Sequence, residues 1–230
     1  LPQIGKISQP SLEGEYCQNA GLTPLGENLI LEMMKRGMIL EIDHLPKRSY
    51  GRAIELLVEN EYPAAGTHGS NSHGVLYSLG GISAMGLPRC GDDANPNAAT
   101  ESVRARFDEV ANAGGYRAQG FGFDMNGFAG AAGPRFGKEG CSNPQKDPIT
   151  YPFKSYAGDV ELHQPRLGNR VVDFNTEGMV HIGLMPELIE DARHVGVTDE
   201  DLEPLFRSAE GYIRMWERAE QRAEELGKSK

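Results

Sequence analysis

The order of helical and apolar segments constrains the fold of this chain most. A segment with helical spacing of apolar residues is followed by a short apolar segment, and this order occurs four times in the first half of the chain. The short apolar segments are residues 38–43, 63–67, 81–85 and 119–123. Alternation of this kind predicts parallel strands that are covered by helices. We therefore expect an α/β fold with about four parallel strands.

Capping residues mark the ends of the helical segments. Thr23 is a typical N-cap residue, Pro24 suits the first position of a helix, and Gly37 is typical of a helix end. The other helices are predicted at residues 49–59, 71–79 (a short helix or turn), 98–113, 185–194, after a capping box at 198–201, and at 209–226. In the last helix we expect one apolar stripe to pack on the domain, formed by Tyr212, Trp216, Ala219 and Ala223.

The chain is predicted to form one domain over residues 1–230. Residues 1–22 are an irregular lead-in, and residues 181–230 form the closing helices. Residues 125–180 are rich in Gly, Pro, Asn and aromatic residues and show little periodicity. We expect them to form a long Gly-rich loop, and a loop of that length inside a compact domain is usually functional.

Charge and apolar run length exclude several classes of function. The chain has 23 basic and 33 acidic residues, which gives a net charge of −10. Such a chain is a poor candidate for binding nucleic-acid phosphates or an anionic membrane. No apolar run approaches the roughly 18 residues that a membrane span needs.

The cysteines are few and far apart. Cys17, Cys90 and Cys141 form neither a disulfide framework nor a zinc-binding pair. Three unpaired thiols are the simpler expectation, and one disulfide with a free thiol is the alternative. The cysteines therefore leave the compartment undetermined.

Three of the predicted strands end in a residue that is suited to metal or proton chemistry, namely His44, His68 and Asp124. In a parallel barrel the active site lies where the carboxyl ends of the strands meet. Because adjacent strands lie about 4.8 Å apart, the two imidazoles could share one ion or bind one each of two ions about 3.5–4 Å apart. The alternative is that each histidine is a hydrogen-bonded core or surface residue and that Asp124 caps a helix.

Several motifs in this region resemble the membrane dipeptidase (renal dipeptidase) branch of the amidohydrolase superfamily. They are Gly21-Leu-Thr-Pro-Leu-Gly26, the run from Gly37 to His44, Thr67-His68-Gly-Ser70, and Gly120-Phe-Gly-Phe-Asp124-Met-Asn-Gly127. The resemblance covers residues 20–130 well, and the order and spacing of the motifs are more specific than any one of them. It extends more weakly to the residues between Phe174 and Trp216.

The resemblance implies a (β/α)8 barrel of the TIM type that holds divalent metal, one or two zinc ions, with a bridging hydroxide that attacks an amide carbonyl. His44 and His68 would be metal ligands. Asp124 would orient and deprotonate the attacking water and then protonate the leaving nitrogen. The implied activity is that of a metal-dependent hydrolase, and an extracellular location is slightly favoured.

This chain departs from the family pattern in ways that change the expectation. The family has a His-x-Asp on its first strand and a bridging Glu on its third, and neither precedes His44 here. The chain is therefore predicted to form the second half of the barrel. We expect another polypeptide to carry the first half, either a cleaved N-terminal part or a separate subunit, so that the active protein is a heteromer. Two copies that close one barrel are the less favoured alternative.

The substrate is left open by two further departures. Asn126 stands where the family has a second Asp, and no Arg lies between His68 and Leu87 to bind a peptide carboxylate. Candidate substrate-binding residues near the mouth are His73, Asn126, Arg135 and His181, although surface exposure is an equal expectation for His73. A catalytically inactive barrel component for binding or assembly, or a metal-dependent lactonase or phosphoesterase on the same scaffold, are the alternatives to an amide hydrolase.

Overall fold

A parallel sheet with helices along one face forms the centre of the fold. The computed structural model describes residues 21–68, 74–123, 125, 132–144 and 147–228. The parallel strands are β1 (Leu40–Glu41), β2 (Ala64–Gly66) and β3 (Ile82–Ser83), and they lie in the order β1-β2-β3. The predicted α/β class with parallel strands is confirmed to this extent.

The fourth predicted strand is reduced to one isolated parallel bridge between Ala84 and Gly120. The Gly120 amide donates to the Ser83 carbonyl at 3.0 Å, and the Met85 amide donates to the Gly120 carbonyl at 2.9 Å. The prediction of a full strand over residues 119–123 was therefore wrong. The segment lies beside the end of β3, but only Gly120 of this segment takes part in the parallel pairing.

Helices connect the strands and complete the domain. They are α1 (Pro24–Met34), α2 (Lys47–Glu59), α3 (Gly74–Ser78), α4 (Ala98–Asn112), α5 (Phe174–Glu177), α6 (Met185–His194), α7 (Asp199–Leu202) and α8 (Ser208–Lys228). Thr23 caps α1 by accepting a hydrogen bond from the Gly26 amide, as its position predicts, and Gly37 has a positive φ of 68° just beyond the helix. None of the helices in the described ranges is long and apolar enough to cross a membrane.

The alternation of side chains along β1 shows which face of the sheet is covered. Leu40 and Ile42 are buried in one cluster with Leu56 and Leu57 of α2. Glu41, between them, is exposed and therefore lies on the opposite face. The helices α1, α2 and α3 contribute to the same buried cluster, so they cover one face of the sheet.

The segment predicted as a long loop contains regular structure. Two short antiparallel pairs form between β4 (Phe153–Lys154) and β5 (Glu161–Leu162), and between β6 (Arg166–Leu167) and β7 (Arg170–Val171). The expectation of a loop over the whole of this stretch was wrong for these four strands. Each strand is two residues long, which is too short to give a detectable period in the sequence.

The last helix packs through a stripe that shares Ala219 with the predicted one but excludes Tyr212 and Trp216. Tyr212 is 45% exposed and Trp216 is 51% exposed, whereas Met215 and Ala219 are fully buried. Gly211 explains the difference, because a Cβ at this position would lie 2.9 Å from the Cβ of Ala118. The glycine lets α8 approach along the line of residues 211, 215 and 219, which rotates the aromatic residues outward.

One disulfide joins Cys90 to Cys141, with the two Cα atoms 5.6 Å apart. The expectation of three unpaired thiols was wrong, and Cys17 lies outside the described residues. The Gly91 amide also donates to the Asn143 carbonyl at 3.1 Å. The segment that follows β3 is therefore fixed to residues 132–144.

Candidate metal and substrate site

The two histidines predicted to bind metal lie together at the carboxyl ends of β1 and β2. The parallel register pairs Leu40 with Ala64, so the two strands end side by side. The Nδ1 atom of His68 lies 2.8 Å from the Nε2 atom of His44. The ring centroids are 4.7 Å apart and the rings meet edge to face. Two imidazoles that are 24 residues apart in sequence thus share one point at the end of the sheet.

Two carboxylates that the sequence analysis did not select hold these strand ends in place. The Asp43 carboxylate accepts a hydrogen bond from the His68 amide at 2.7 Å. The Glu41 carboxylate accepts from the amides of Asp43 at 3.0 Å and Thr67 at 3.2 Å. The signal was present as the run Glu-Ile-Asp-His, because carboxylates two residues apart lie on the same face of a strand.

The donor geometry of the two histidines fits a metal ion after a small movement. Two nitrogen ligands of one tetrahedral zinc ion, each 2.0–2.1 Å from it, lie about 3.3 Å apart. The Nδ1 and Nε2 atoms of His68 and His44 lie about half an ångström closer than that, at the distance of a hydrogen bond. A shared ion would require the two rings to move apart by that amount and both nitrogen lone pairs to point towards it. Within the described ranges, no group of three or more His, Cys, Asp or Glu side chains could hold a metal ion.

Three of the predicted site residues lie outside the part of the chain that the structure describes, namely His73, Asp124 and Asn126. Phe121 and Phe123, which precede Asp124, stack with ring centroids 5.0 Å apart. The bridge at Gly120 places their segment beside β3 at the carboxyl end of the sheet. The roles predicted for the three residues stay predictions.

A cavity of about 390 Å³ lies on the sheet face opposite the α1–α3 side. Ala65 and Ile82 line it, and they share this face with Glu41 through the strand register. Tyr212 of α8 forms the other wall, and the cavity reaches Thr67, which precedes His68. The face that would be the interior of a barrel is thus partly covered by α8, and a cavity remains between them that reaches Thr67.

All three nitrogen atoms of the Arg135 guanidinium group donate hydrogen bonds within the protein. The side chain is fully buried, and Nε donates to the Asp191 carboxylate at 2.8 Å. The other guanidinium nitrogens donate to the carbonyls of Pro144 and Asp147. Burial raises the pKa of Asp191, and the positive charge of Arg135 opposes that rise. The substrate contact predicted for Arg135 stays a prediction that this placement does not favour.

His181 lies at the start of a 3₁₀ helix (Ile182–Leu184), where its Nδ1 atom accepts a hydrogen bond from the Gly183 amide at 3.1 Å. Its Nε2 atom is buried without a hydrogen bond of normal geometry among the described residues, and so is the Oη atom of Tyr151, whose phenol group interacts with the Glu187 carboxyl group. The buried carboxyl group of Glu187 lies within electrostatic reach of both. Sequence reasoning selected His181 but missed Tyr151 and Glu187, which have no local signal.

Comparison with known proteins leaves the family of the chain open. No protein-family model matches it, and no curated protein is similar to it in sequence. Among solved structures it is similar to an amidohydrolase from Pseudomonas aeruginosa, with 14% sequence identity and a TM-score of 0.43. The match covers 87% of this chain and 58% of that one, so the chain spans little more than half the length of that protein. Similarity at this level does not establish a family.

Proposed function

We propose that this chain is one part of a metal-dependent hydrolase in which His44 and His68 hold a divalent cation, most suitably zinc, against an amide-type carbonyl. The observation that carries the proposal is the 2.8 Å approach of His68 Nδ1 to His44 Nε2 at the ends of two parallel strands. Strand ends of this kind carry the reactive groups in barrel enzymes. Imidazole nitrogens are the commonest protein ligands of zinc.

The chemistry divides between the cation and the side chains. A bound cation would polarise the carbonyl group and lower the pKa of water towards about 7. An imidazole nitrogen must give up its proton to bind the cation. Asp43 and Glu41 hold the two strand ends next to each other through hydrogen bonds from backbone amides.

Asp124 is the residue proposed to move protons. It follows the segment that pairs with β3 at Gly120, and its carboxylate is proposed to act at the carboxyl end of the sheet. A carboxylate in this position would accept a proton from the attacking water and return it to the leaving nitrogen. One residue would then both accept and return the proton that amide hydrolysis transfers.

We also propose that a second polypeptide completes the sheet. In the described part of the chain, β1 pairs with β2 on one side and with no strand on the other. An unpaired edge and an inner face that α8 covers only in part are unfavourable for a sheet that stands alone. Native mass spectrometry of the protein from its source should show a stoichiometric second polypeptide that carries a His-x-Asp sequence. A stable monomer with hydrolase activity would contradict this part of the proposal.

Metal content tests the role of the histidines directly. Purified wild-type chain and the variants His44→Ala, His68→Ala and His163→Ala are each loaded with zinc chloride, dialysed, and analysed by atomic emission. His163 is the matched control because it lies in the link between β5 and β6 with its side chain 71% exposed. We expect the first two variants to lose most of the bound zinc and the control to keep it. Equal zinc content in all four proteins would exclude the proposed site.

The role of Asp124 is tested in the complex of this chain with the proposed second polypeptide. Asp124→Asn should keep the bound metal and lose most of the hydrolysis of an amide substrate panel. Full activity in that variant would remove Asp124 from the mechanism without affecting the metal proposal.

A further inference from the structure

Another cavity, of about 340 Å³, is formed by parts of the chain other than the parallel sheet. Its walls come from the hairpin of β4 and β5, from helix α6, and from a second 3₁₀ helix (Glu203–Arg207). Its apolar lining includes Phe153, Val160, Leu162, Met185, Ile189 and Phe206. Concave sites of this size with mostly apolar walls are typical binding sites for small molecules.

One wall of the cavity is aromatic. The rings of Tyr156 and Phe206 stack with their centroids 3.8 Å apart and their planes 16° from parallel. The two residues are still 36% and 42% exposed, so the fold does not cover these rings fully. The guanidinium group of Arg193 lies 5.8 Å from the centre of the Tyr156 ring, within the range of a cation–π interaction. The cavity therefore presents aromatic surface that a planar ligand could stack on.

Hydrogen bonds within the hairpin hold this wall in place. The Ser155 amide donates to the Val160 carbonyl at 2.9 Å, and the Gly158 amide donates to the Ser155 carbonyl at 2.9 Å. The Ser155 hydroxyl group also donates to the Asp159 carboxylate at 2.9 Å. A ligand does not have to order the tip of the hairpin when it binds, which reduces the free-energy cost of binding.

The charges at the cavity determine the charge of ligand that fits. Lys154 and Arg193 are among the residues that line it, and no described Asp or Glu is. Arg193 is already paired with Glu190 and Asp199, both at 2.7 Å. Lys154 is exposed, and its side chain has no ion pair or hydrogen bond among the described residues. The Lys154 ammonium group is therefore available to a ligand.

We propose that this cavity binds a planar aromatic molecule that carries one negative charge, such as an aryl carboxylate. The aromatic body packs against Tyr156 and Phe206 and against the apolar side chains of α6, and the carboxylate faces Lys154 at the rim. A cationic ligand would be repelled by Lys154, and a neutral ligand would lack the attraction. The site does not depend on metal at the paired histidines.

The probe is 1-naphthoate, and the Cδ1 methyl resonances of isoleucine are the readout. Ile189 lines this cavity, whereas Ile82 lines the cavity at the sheet and Ile182 lines a third cavity beside Phe123. Titration of the metal-free full chain should shift the Ile189 resonance in a saturable manner and leave those of Ile82 and Ile182 unchanged. The probe 1-naphthylmethylammonium has the same rings and the opposite charge. It should bind roughly fivefold more weakly, because repulsion replaces attraction at the rim.

Two variants test the two parts of the proposed site. Lys154→Met keeps the length of the side chain and removes the charge, so naphthoate affinity should fall about two- to fivefold, as for one exposed ion pair. The matched control is Lys47→Met, because Lys47 is an exposed lysine on α2, and it should bind naphthoate like wild type. Phe206→Leu keeps an apolar side chain and removes the ring, so the affinity for both probes should fall about two- to tenfold.

Any of four results would overturn the proposal. They are the absence of a saturable shift at Ile189, equal affinity for the two probes, unchanged naphthoate affinity in Lys154→Met, and unchanged affinity in Phe206→Leu. If thermal unfolding shows that the last variant does not fold, Tyr156→Leu replaces it, and an unchanged affinity there has the same meaning. Since no metal is present, failure of this test leaves the zinc-content test of the paired histidines unaffected.

Discussion

The buried pair of Arg135 and Asp191 gives the sharpest prediction about stability. Both side chains are almost completely inaccessible, at 0% and 3% exposure. Arg135→Met keeps a long side chain but removes the guanidinium group. The variant leaves the Asp191 carboxylate buried without its cation, and the carbonyls of Pro144 and Asp147 lose a donor.

The expected loss follows from what remains after the substitution. Removing one partner of a buried ion pair costs about 3–5 kcal/mol, because the other charge stays buried and unpaired. The matched control is Arg214→Met, since Arg214 pairs with Glu210 at 2.7 Å while both side chains are about half exposed. An exposed pair contributes roughly 0–1 kcal/mol. Urea unfolding at pH 7 should therefore separate the two variants by several kcal/mol.

The pH dependence of this loss provides a second criterion. Because burial raises the pKa of Asp191, the folded state holds this proton at pH values where the unfolded state has lost it. The contribution of Asp191 to the free energy of unfolding is thus most favourable below the unfolded pKa and falls as pH rises through the folded pKa. Without Arg135 the folded pKa rises further, so the variant should lose less stability at pH 4 than at pH 7.

Addition of Asp191→Asn to the Arg135→Met variant removes the unpaired charge and should restore part of the stability at pH 7. The reasoning is refuted if Arg135→Met lies within 1 kcal/mol of wild type at pH 7, or if its loss is the same at both pH values.

Two further substitutions test the connections around the sheet. Replacement of Cys90 and Cys141 by Ala removes a disulfide that closes a loop of 51 residues. The loop-closure entropy predicts a loss of about 4 kcal/mol in the free energy of unfolding, and an unchanged urea midpoint would contradict the disulfide. Gly122→Ala would place a Cβ 1.5 Å from the Thr67 carbonyl oxygen, whereas Gly120→Ala meets nothing within 4 Å. The first should lower the unfolding temperature strongly and the second slightly; equal effects would contradict the close approach of this segment to β2.

Local signals in the sequence were sufficient to predict the helix and strands around the paired histidines. The cap at Thr23 depends on a side chain that bonds to a backbone amide three residues away, so it is visible in sequence. The apolar runs that form β1, β2 and β3 reflect burial, and the order of the strands follows from the alternation with helices. The contact between His44 and His68 could be predicted because each histidine follows one of two neighbouring parallel strands, and such strands end side by side.

Features that depend on distant contacts could not be predicted. The pairing of Cys90 with Cys141 depends on how two irregular segments meet, and spacing in the sequence does not determine it. The buried face of α8 depends on Gly211 and on the residues that it approaches. Tyr151 and Glu187 carry no motif, because what distinguishes them is burial beside His181, and burial of a polar group is a tertiary property.

The position of zinc in a crystal of the protein grown with zinc chloride tests the central proposal most directly. The anomalous difference map at the zinc absorption edge should show a peak about 2.0–2.1 Å from both His44 Nε2 and His68 Nδ1, or one such peak at each nitrogen. A map with no peak there, and with the two rings still in hydrogen-bond contact, would contradict it.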